Sequence, residues 1–140
     1  MPQVTFSIFL AGESNAEHPV RYARCFPAMI QQWRRDFVDA SRMPFIFAQL
    51  SAWPDQNTGI VAGMRYAQQA ALALSHVGMA VAADLGDPAG VFQPIHTPFK
   101  QELGRRAALV AESLVYGDNT VSLHGPRVVN VTWCRPTHAH

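Results

Sequence analysis

Residues 77–87 read VGMAVAADLGD, an apolar run of strand length that ends in Asp84 and Asp87. His96 follows in the next loop, ahead of a helical pattern. A buried strand ending in carboxylates, with a histidine in the following loop, is how an α/β enzyme presents a base and its orienting acid at the carboxyl edge of a sheet. This stretch therefore predicts a parallel α/β fold with a site at one sheet edge.

Two more runs of strand length precede this stretch, residues 4–10 (VTFSIFL) and 45–50 (FIFAQL). Both are short and apolar, which favours buried strands. Apolar residues at helical spacing predict three helices, over residues 19–37, 59–75 and 98–115. Strand followed by helix, three times over, predicts a parallel sheet with helices on its faces.

The first predicted helix contains a proline and a cysteine. Pro27 should kink this helix or divide it near Cys25. Because Cys25 falls within the apolar helical pattern, we expect a buried free thiol, with a disulfide to Cys134 as the less favoured alternative.

The composition excludes several function classes. The 140 residues are the length of one domain. A net charge of +1 gives no electrostatic attraction to nucleic acid or to an anionic membrane. The arginine pairs Arg34-Arg35 and Arg105-Arg106 are expected on solvated helix faces. Neither a signal peptide nor a membrane-length apolar run is visible, so the chain as written is expected in the cytoplasm, or secreted or periplasmic as a fragment of a longer precursor.

The last part of the sequence changes character. Residues 121–123 and 128–133 alternate between apolar and polar side chains and are joined by His124-Gly125-Pro126-Arg127. This pattern is typical of a β-hairpin. We therefore divide the chain into an α/β part, residues 1–118, and a short hairpin-like β segment, residues 119–140.

Parallel strands end at the same sheet edge, so polar residues that follow the three strands should meet there. Ser14 follows the first strand, and Asp84, Asp87 and His96 follow the third. Serine, histidine and aspartate in one pocket suit acyl transfer, in which the histidine removes the nucleophile's proton and the carboxylate orients the histidine. Taken alone, a loop histidine is more often a solvated or capping residue.

Four further residues at this edge are candidates for substrate binding. Glu13 and Asn15 would line the pocket or hold the turn through hydrogen bonds to the backbone. Gln49 would contact substrate or be a satisfied buried amide. Trp53 would stack on a sugar ring or pack its loop.

Ordered motifs across the chain resemble those of the sialate O-acetylesterase family. They are Gly12-Glu13-Ser14-Asn15-Ala16, Phe26-Pro27-Ala28-Met29-Ile30 with Trp33-Arg34, Pro44-Phe45 with Gln49-Leu50, and Asp84-Leu85-Gly86-Asp87 with Ile95-His96, Lys100 and Gly104-Arg105-Arg106. The resemblance implies a three-layer, flavodoxin-like sandwich of the SGNH-hydrolase type, of which this chain lacks the first strands.

The resemblance also implies an activity, the hydrolysis of O-acetyl esters on sialic acid or other sugars, with no metal and no organic cofactor. His96 matches the family's catalytic histidine. Its carboxylate partner is open between Asp84 and Asp87, because the positions two and three before the histidine are Pro94 and Gln93.

The sequence departs from the family pattern at two catalytic positions. The usual nucleophile lies in a Gly-Gln-Ser-Asn motif upstream of the matching blocks, and this sequence has no such motif. Ser14 is the one serine in a matching motif, at a position that is not the nucleophile in relatives. Relatives carry a glutamine before Gly12 that helps to bind the oxyanion, where this chain has Ala11; losing such a donor costs about 2.7–4 kcal/mol of transition-state stabilisation.

These departures predict an incomplete esterase. The alternative is a non-catalytic glycan-binding or interaction module that keeps the pocket without the chemistry. Absent first strands would leave an apolar sheet edge bare, which predicts a homo-oligomer or an N-terminal partner polypeptide that covers the edge.

Overall fold

The computed structural model describes residues 5–37, 42–53, 58–87, 89–90, 96–121 and 130–133. Its elements are β1 (Ser7–Phe9), α1 (Pro19–Asp36), β2 (Phe45–Ala48), α2 (Thr58–Gln68), β3 (Val77–Ala80) and α3 (Lys100–Tyr116), with 3₁₀ turns at Glu13–Asn15 and Gln69–Ala73. The predicted alternation of strands and helices is confirmed, although α2 ends before the predicted residue 75 and passes into the second 3₁₀ turn.

The described strands form a parallel sheet in the order β1-β2-β3. Ile8 pairs with Ile46 across β1 and β2, and Phe47 pairs with Met79 across β2 and β3. The predicted parallel sheet is therefore confirmed, and the loops that follow the three strands leave the same edge.

The middle strand, β2, is buried along its whole length. Phe45 and Phe47 face α1 and pack with Phe26 and Ile30. Ile46 and Ala48, the alternate residues, face α3. A strand buried on both faces reads as a continuous apolar run, so the sequence FIFA follows from the three-layer arrangement.

The helix α3 packs as its periodicity predicts, with Leu103, Ala107, Val110 and Ala111 buried. It ends at Gly117, whose φ of 74° lies in the left-handed region that glycine adopts without strain. The Gly117 N–H then caps the last turn.

One alternative expected at Pro27 and the expected burial of Cys25 are wrong. The helix α1 runs through Pro27 without dividing, because Phe26 and Ile30 on either side are buried against the sheet and hold the two halves together. Cys25 is exposed rather than buried. It lies on α1 and lines a groove that Phe9 of β1 also lines.

The expectation that residues 4–10 form a buried strand is also wrong. The observed strand is shorter, and Ile8 is 55% exposed and Leu10 53% exposed. Its one neighbour among the described strands is β2, and α3 packs on β2 and β3 instead.

One member of each arginine pair is tied to backbone rather than free in solvent. Arg34 donates to the carbonyl oxygens of Met43 (2.8 Å) and Ser75 (2.9 Å), so it links α1 to the amino ends of β2 and β3.

The predicted hairpin and Cys134 fall largely on residues 122–129 and 134–140, which lie outside the described residues. No described helix is long and apolar enough to cross a membrane.

Candidate active site at the carboxyl edge of the sheet

The loops that follow the three strands contact one another. A Cβ placed on Gly12, in the loop after β1, would lie 3.5 Å from Leu50 Cδ2, in the loop after β2. A Cβ on Gly86, after β3, would lie 2.5 Å from the Ala52 Cβ. The three strand ends therefore form one continuous surface, and only a glycine at residue 86 permits the second contact.

The loop after β1 folds back as a 3₁₀ turn. The Asn15 N–H donates to the Gly12 carbonyl oxygen at 3.0 Å, and Gly12 has a φ of 140° that an L side chain rarely adopts. This turn leaves Ser14 and Asn15 exposed and Glu13 half-buried. Ser14, the serine that the sequence singles out, is thus exposed at the surface.

A buried glutamine that the sequence did not single out, Gln68, binds the backbone at the end of β2. Gln68, at the end of α2, is fully buried. Its Nε2 donates to the Ala48 carbonyl oxygen at 3.1 Å, and its Oε1 accepts from the Leu50 N–H at 3.0 Å. In a parallel ladder these two groups point toward β1, so the Gln68 amide replaces the backbone of β1 beyond Phe9.

Tyr22 on α1 lies beside Gln68. Its hydroxyl is buried, and it has no hydrogen-bond partner within the chain as described. Burial, together with the negative charge of Glu13, raises the pKa of Tyr22 to about 12. The phenol therefore stays protonated at neutral pH.

After β3, Asp84 is held by an arginine from α3. Arg106 donates to both carboxylate oxygens of Asp84, at 2.6 and 2.7 Å, and also to the Val81 carbonyl oxygen at 2.8 Å. The hydrogen bond from Arg106 lowers the pKa of Asp84, so this carboxylate stays ionised. Because both oxygens bind Arg106, Asp84 fastens α3 to the end of β3.

Asp87 lies in a tighter turn nearby. Its Oδ1 accepts from the Ala89 N–H at 3.2 Å, which leaves the second carboxylate oxygen without a partner among the described residues. His96 is exposed and precedes the buried Thr97, whose Oγ1 accepts from the Phe99 N–H at 3.2 Å ahead of α3. Residues 91–95, which join the two, lie outside the described residues.

The remaining two candidates follow β2. Gln49 is buried, and its N–H donates to the Ala80 carbonyl oxygen at 2.9 Å, which extends the pairing with β3. Trp53 is half-buried and packs against the cluster that includes Leu50 and Met64. Both residues thus support the edge on which the candidate site lies.

All eight predicted site residues lie in the segments that follow the three strands, and His96 lies close to the start of α3. Within the described ranges, the structure gives no contact that joins Ser14, His96 and Asp87 to one another. In the same ranges, His, Cys, Asp and Glu side chains do not gather in groups of three or more that could hold a metal ion.

Gln68 and Arg106 hold the ends of β2 and β3 in place through hydrogen bonds, yet the sequence did not single out either residue as part of the site. Gln68 sits among apolar residues of a helix, and one polar residue there gives no periodic signal. For Arg106 a signal existed, because the Gly104-Arg105-Arg106 motif recurs in the family pattern, but an arginine on a helix usually faces solvent.

A parallel sheet between two layers of helices is the arrangement of the SGNH-type fold. A solved structure agrees with this class. The carbohydrate acetylesterase from Xanthomonas citri superposes with a TM-score of 0.73 at 35% sequence identity, over 81% of this chain and 27% of that one.

Sequence comparison narrows the class. Sialate O-acetylesterase from Rattus norvegicus is 31% identical over 134 residues, which is 85% of this chain and 25% of the rat protein. The Homo sapiens sialate O-acetylesterase is 31% identical over 136 residues, covering 26% of that protein. No protein-family model matches the sequence.

The chain is therefore related, by sequence and by fold, to the SGNH-type acetylesterases, as its motifs predicted. It spans about a quarter of the length of the curated relatives it matches.

Proposed function

We propose that this chain forms the part of an O-acetylesterase that carries the general base, and that it acts on O-acetylated sialic acid or another O-acetylated sugar. The contact of the three strand-end loops with one another supports the proposal, because Ser14 belongs to the first of these loops and Asp87 and His96 belong to the segment after the third strand. The relation to acetylesterases over 85% of the chain supports the choice of ester.

In this mechanism a serine hydroxyl attacks the acetyl carbonyl carbon. His96 takes the hydroxyl proton and passes it to the departing sugar oxygen, leaving an acetyl-enzyme. His96 then takes a proton from water, and attack by that water releases acetate and restores the serine. His96 is exposed, so substrate and water can both reach it.

We assign Asp87 rather than Asp84 as the residue that orients His96. Both oxygens of Asp84 are bound by Arg106, whereas Asp87 has one oxygen engaged by its own turn. Asp87→Asn keeps that turn, because an asparagine oxygen also accepts from a backbone N–H. It should therefore lower activity without lowering the melting temperature, and Asp84→Asn should do the reverse.

The nucleophile is the missing component. We propose that an N-terminal polypeptide, corresponding to part of the relatives outside the matched quarter, supplies the attacking serine. Ser14 then lines the site instead of attacking the ester.

Hydrolysis of an aryl acetate tests the assignment. The chain alone should release no acetate above the buffer rate, and the chain with the N-terminal part of the Xanthomonas citri enzyme should release it. His96→Ala should then lower the rate by about 10²–10⁴-fold. Ser75→Ala, a serine at the opposite edge of the sheet, is the matched control for Ser14→Ala.

Each outcome has a definite meaning. Activity of the chain alone that is lost in Ser14→Ala would make Ser14 the nucleophile. Activity that survives both Ser14→Ala and His96→Ala would overturn the site. Binding of an O-acetylated sugar without hydrolysis in the reconstituted mixture would favour the non-catalytic glycan-binding module instead.

A further inference from the structure

The apolar face of α3 continues beyond the residues that the sheet covers. Leu103, Ala107 and Val110 recur at helical spacing and are buried in the cluster that includes β2 and β3 side chains. Phe99 precedes Leu103 by four residues, and its carbonyl oxygen accepts from the Leu103 N–H at 3.1 Å. That spacing places Phe99 on the same side of the helix as the buried residues. Phe99 is nevertheless 50% exposed.

Phe99 lies at the carboxyl edge of the sheet. Leu103 packs with Ala82 and Leu85, which follow β3. Because a helix rises about 1.5 Å per residue, Phe99 lies about 6 Å farther out along α3 than Leu103. His96, also exposed, is three residues away, so the two Cα atoms are at most about 11 Å apart. At that separation one bound sugar ester can contact both side chains.

The backbone of Phe99 is fixed on both sides. Its N–H donates to Oγ1 of the buried Thr97 at 3.2 Å, and its carbonyl oxygen accepts from Leu103. With both backbone groups engaged, a ligand that contacts the ring has only the two side-chain torsions of Phe99 to order. Aromatic side chains held in this way are common in the binding sites of small molecules.

Other aromatic side chains are less well placed for a ligand at this edge. Trp53 follows β2 but packs in the cluster that includes Leu50 and Met64. Phe37 is 39% exposed, but it follows α1 at the amino edge of the sheet, ahead of β2. Phe99 therefore combines an exposed ring with a position beside the proposed general base.

We propose that Phe99 is a substrate-binding residue whose ring stacks on the sugar ring of the O-acetylated substrate while the ester lies beside His96. The C–H groups on one face of a pyranose are apolar and carry a slight positive charge, which the negative face of an aromatic ring attracts. This inference rests on the proposed function and narrows its substrate class to acetyl esters of pyranoses, as opposed to acetyl esters of open-chain alcohols.

Binding of 6-O-acetylglucose to the chain tests the stacking, with free acetate as the ligand that lacks a ring. In saturation-transfer NMR, irradiation of the aromatic protein protons should reach the C–H protons of the sugar ring more strongly than the acetyl methyl protons. Phe99→Ala should raise the dissociation constant about tenfold and remove this transfer. Phe99→Trp keeps an aromatic face and should retain both the affinity and the transfer.

The matched control is Phe37→Ala, which removes an exposed ring at the amino edge. It should leave the dissociation constant for 6-O-acetylglucose unchanged. Because the Phe99 side chain is half-exposed, Phe99→Ala should keep a melting temperature close to that of the unaltered chain. A loss of binding in Phe99→Ala would then report the missing ring and not unfolding.

Other outcomes would overturn the proposal. These are equal affinity in Phe99→Ala, no saturation transfer to the sugar in the unaltered chain, or a dimer that Phe99→Ala dissociates, which would make a second copy the partner of the ring. Sugar binding that depends on Phe99, without acetate release in any mixture, would leave the stacking intact while the proposed function fails. Acetate release from the sugar ester with the same KM in Phe99→Ala would do the opposite.

Discussion

Ile8 and Ile46 are the same amino acid, paired in register on neighbouring parallel strands, yet one is 55% exposed and the other fully buried. They point to the same face of the sheet. The difference is the helix α3, which packs on β2 and β3 and leaves β1 uncovered. Burial of a strand residue therefore depends on the next layer, and an apolar sequence alone does not reveal whether that layer is present.

The comparison extends to the two halves of the molecule. In the closed half, β2 and β3 pack against α3, and the Arg106 ion pair with Asp84 fastens α3 to the end of β3. In the open half, β1 is covered by α1 on one face and lacks a neighbour on its outer edge among the described strands. The predicted acid and base, Asp87 and His96, lie between β3 and α3 and so belong to the closed half, whereas Ser14 follows β1 in the open half.

The largest effect is expected at the buried member of the pair. Ile46→Ala should lower the free energy of unfolding by about 2–5 kcal/mol, because it removes a buried side chain and leaves a cavity beneath α3. Chemical denaturation measures the change. A loss below 1 kcal/mol would mean that the contact between α3 and β2 is loose in solution.

The sequence allowed the fold of the closed half to be predicted well. Strand β2 and the inner face of α3 follow from patterns that depend on neighbours within the chain, such as the uninterrupted FIFA run and the spacing from Leu103 to Val110. The exposure of Ile8 and Cys25 was predicted wrongly, because the same patterns imply burial whether or not a covering layer exists.

The candidate site was predictable only in its location. Polar residues that follow parallel strands must share an edge, so Ser14, Asp87 and His96 could be placed together. The supporting contacts of Gln68 and Arg106 depend on how helices cross the sheet. A single polar residue in a helix carries no signal for the strand carbonyl that it meets.

Gln68 takes the place of a β1 backbone beside the end of β2, and its removal should have the next largest effect. Gln68→Leu keeps the side-chain size but leaves the Ala48 carbonyl oxygen and the Leu50 N–H unpaired in the interior. We expect a loss of about 2–4 kcal/mol in the free energy of unfolding. Gln69→Leu, at an exposed neighbouring position, is the control and should be close to neutral.

A smaller effect is expected at the ion pair of the closed half. Arg106→Gln should cost about 1 kcal/mol near neutral pH, because the Asp84 side chain is 60% exposed and solvent screens the pair. Thermal denaturation of this variant beside Arg105→Gln measures it. Arg105 binds Glu102 and does not contact Asp84 in the described structure, so Arg105→Gln should cost less.

The same two variants test how the free energy of unfolding changes at acidic pH. Hydrogen bonds from Arg105 and Arg106 lower the pKa of Glu102 from 4.5 to about 2. A carboxylate whose pKa is lower in the folded state stabilises the fold fully at a pH above its pKa in the unfolded state. This contribution is lost as the pH falls from about 4.5 to 2. Arg106→Gln should flatten this loss more than Arg105→Gln, because Arg106 also lowers the pKa of Asp84. Equal profiles for both variants would contradict the role of Arg106.

The smallest effect is expected at the exposed member of the pair. Ile8→Ala should change the free energy of unfolding by about 0.5 kcal/mol or less, since its side chain already contacts water. Denaturation at two protein concentrations measures the change and checks for association. A loss as large as that of Ile46→Ala, and one that grows with concentration, would show that the chain covers Ile8 with a second copy of itself. The contrast between the two isoleucines would then describe the isolated chain and not the molecule in solution.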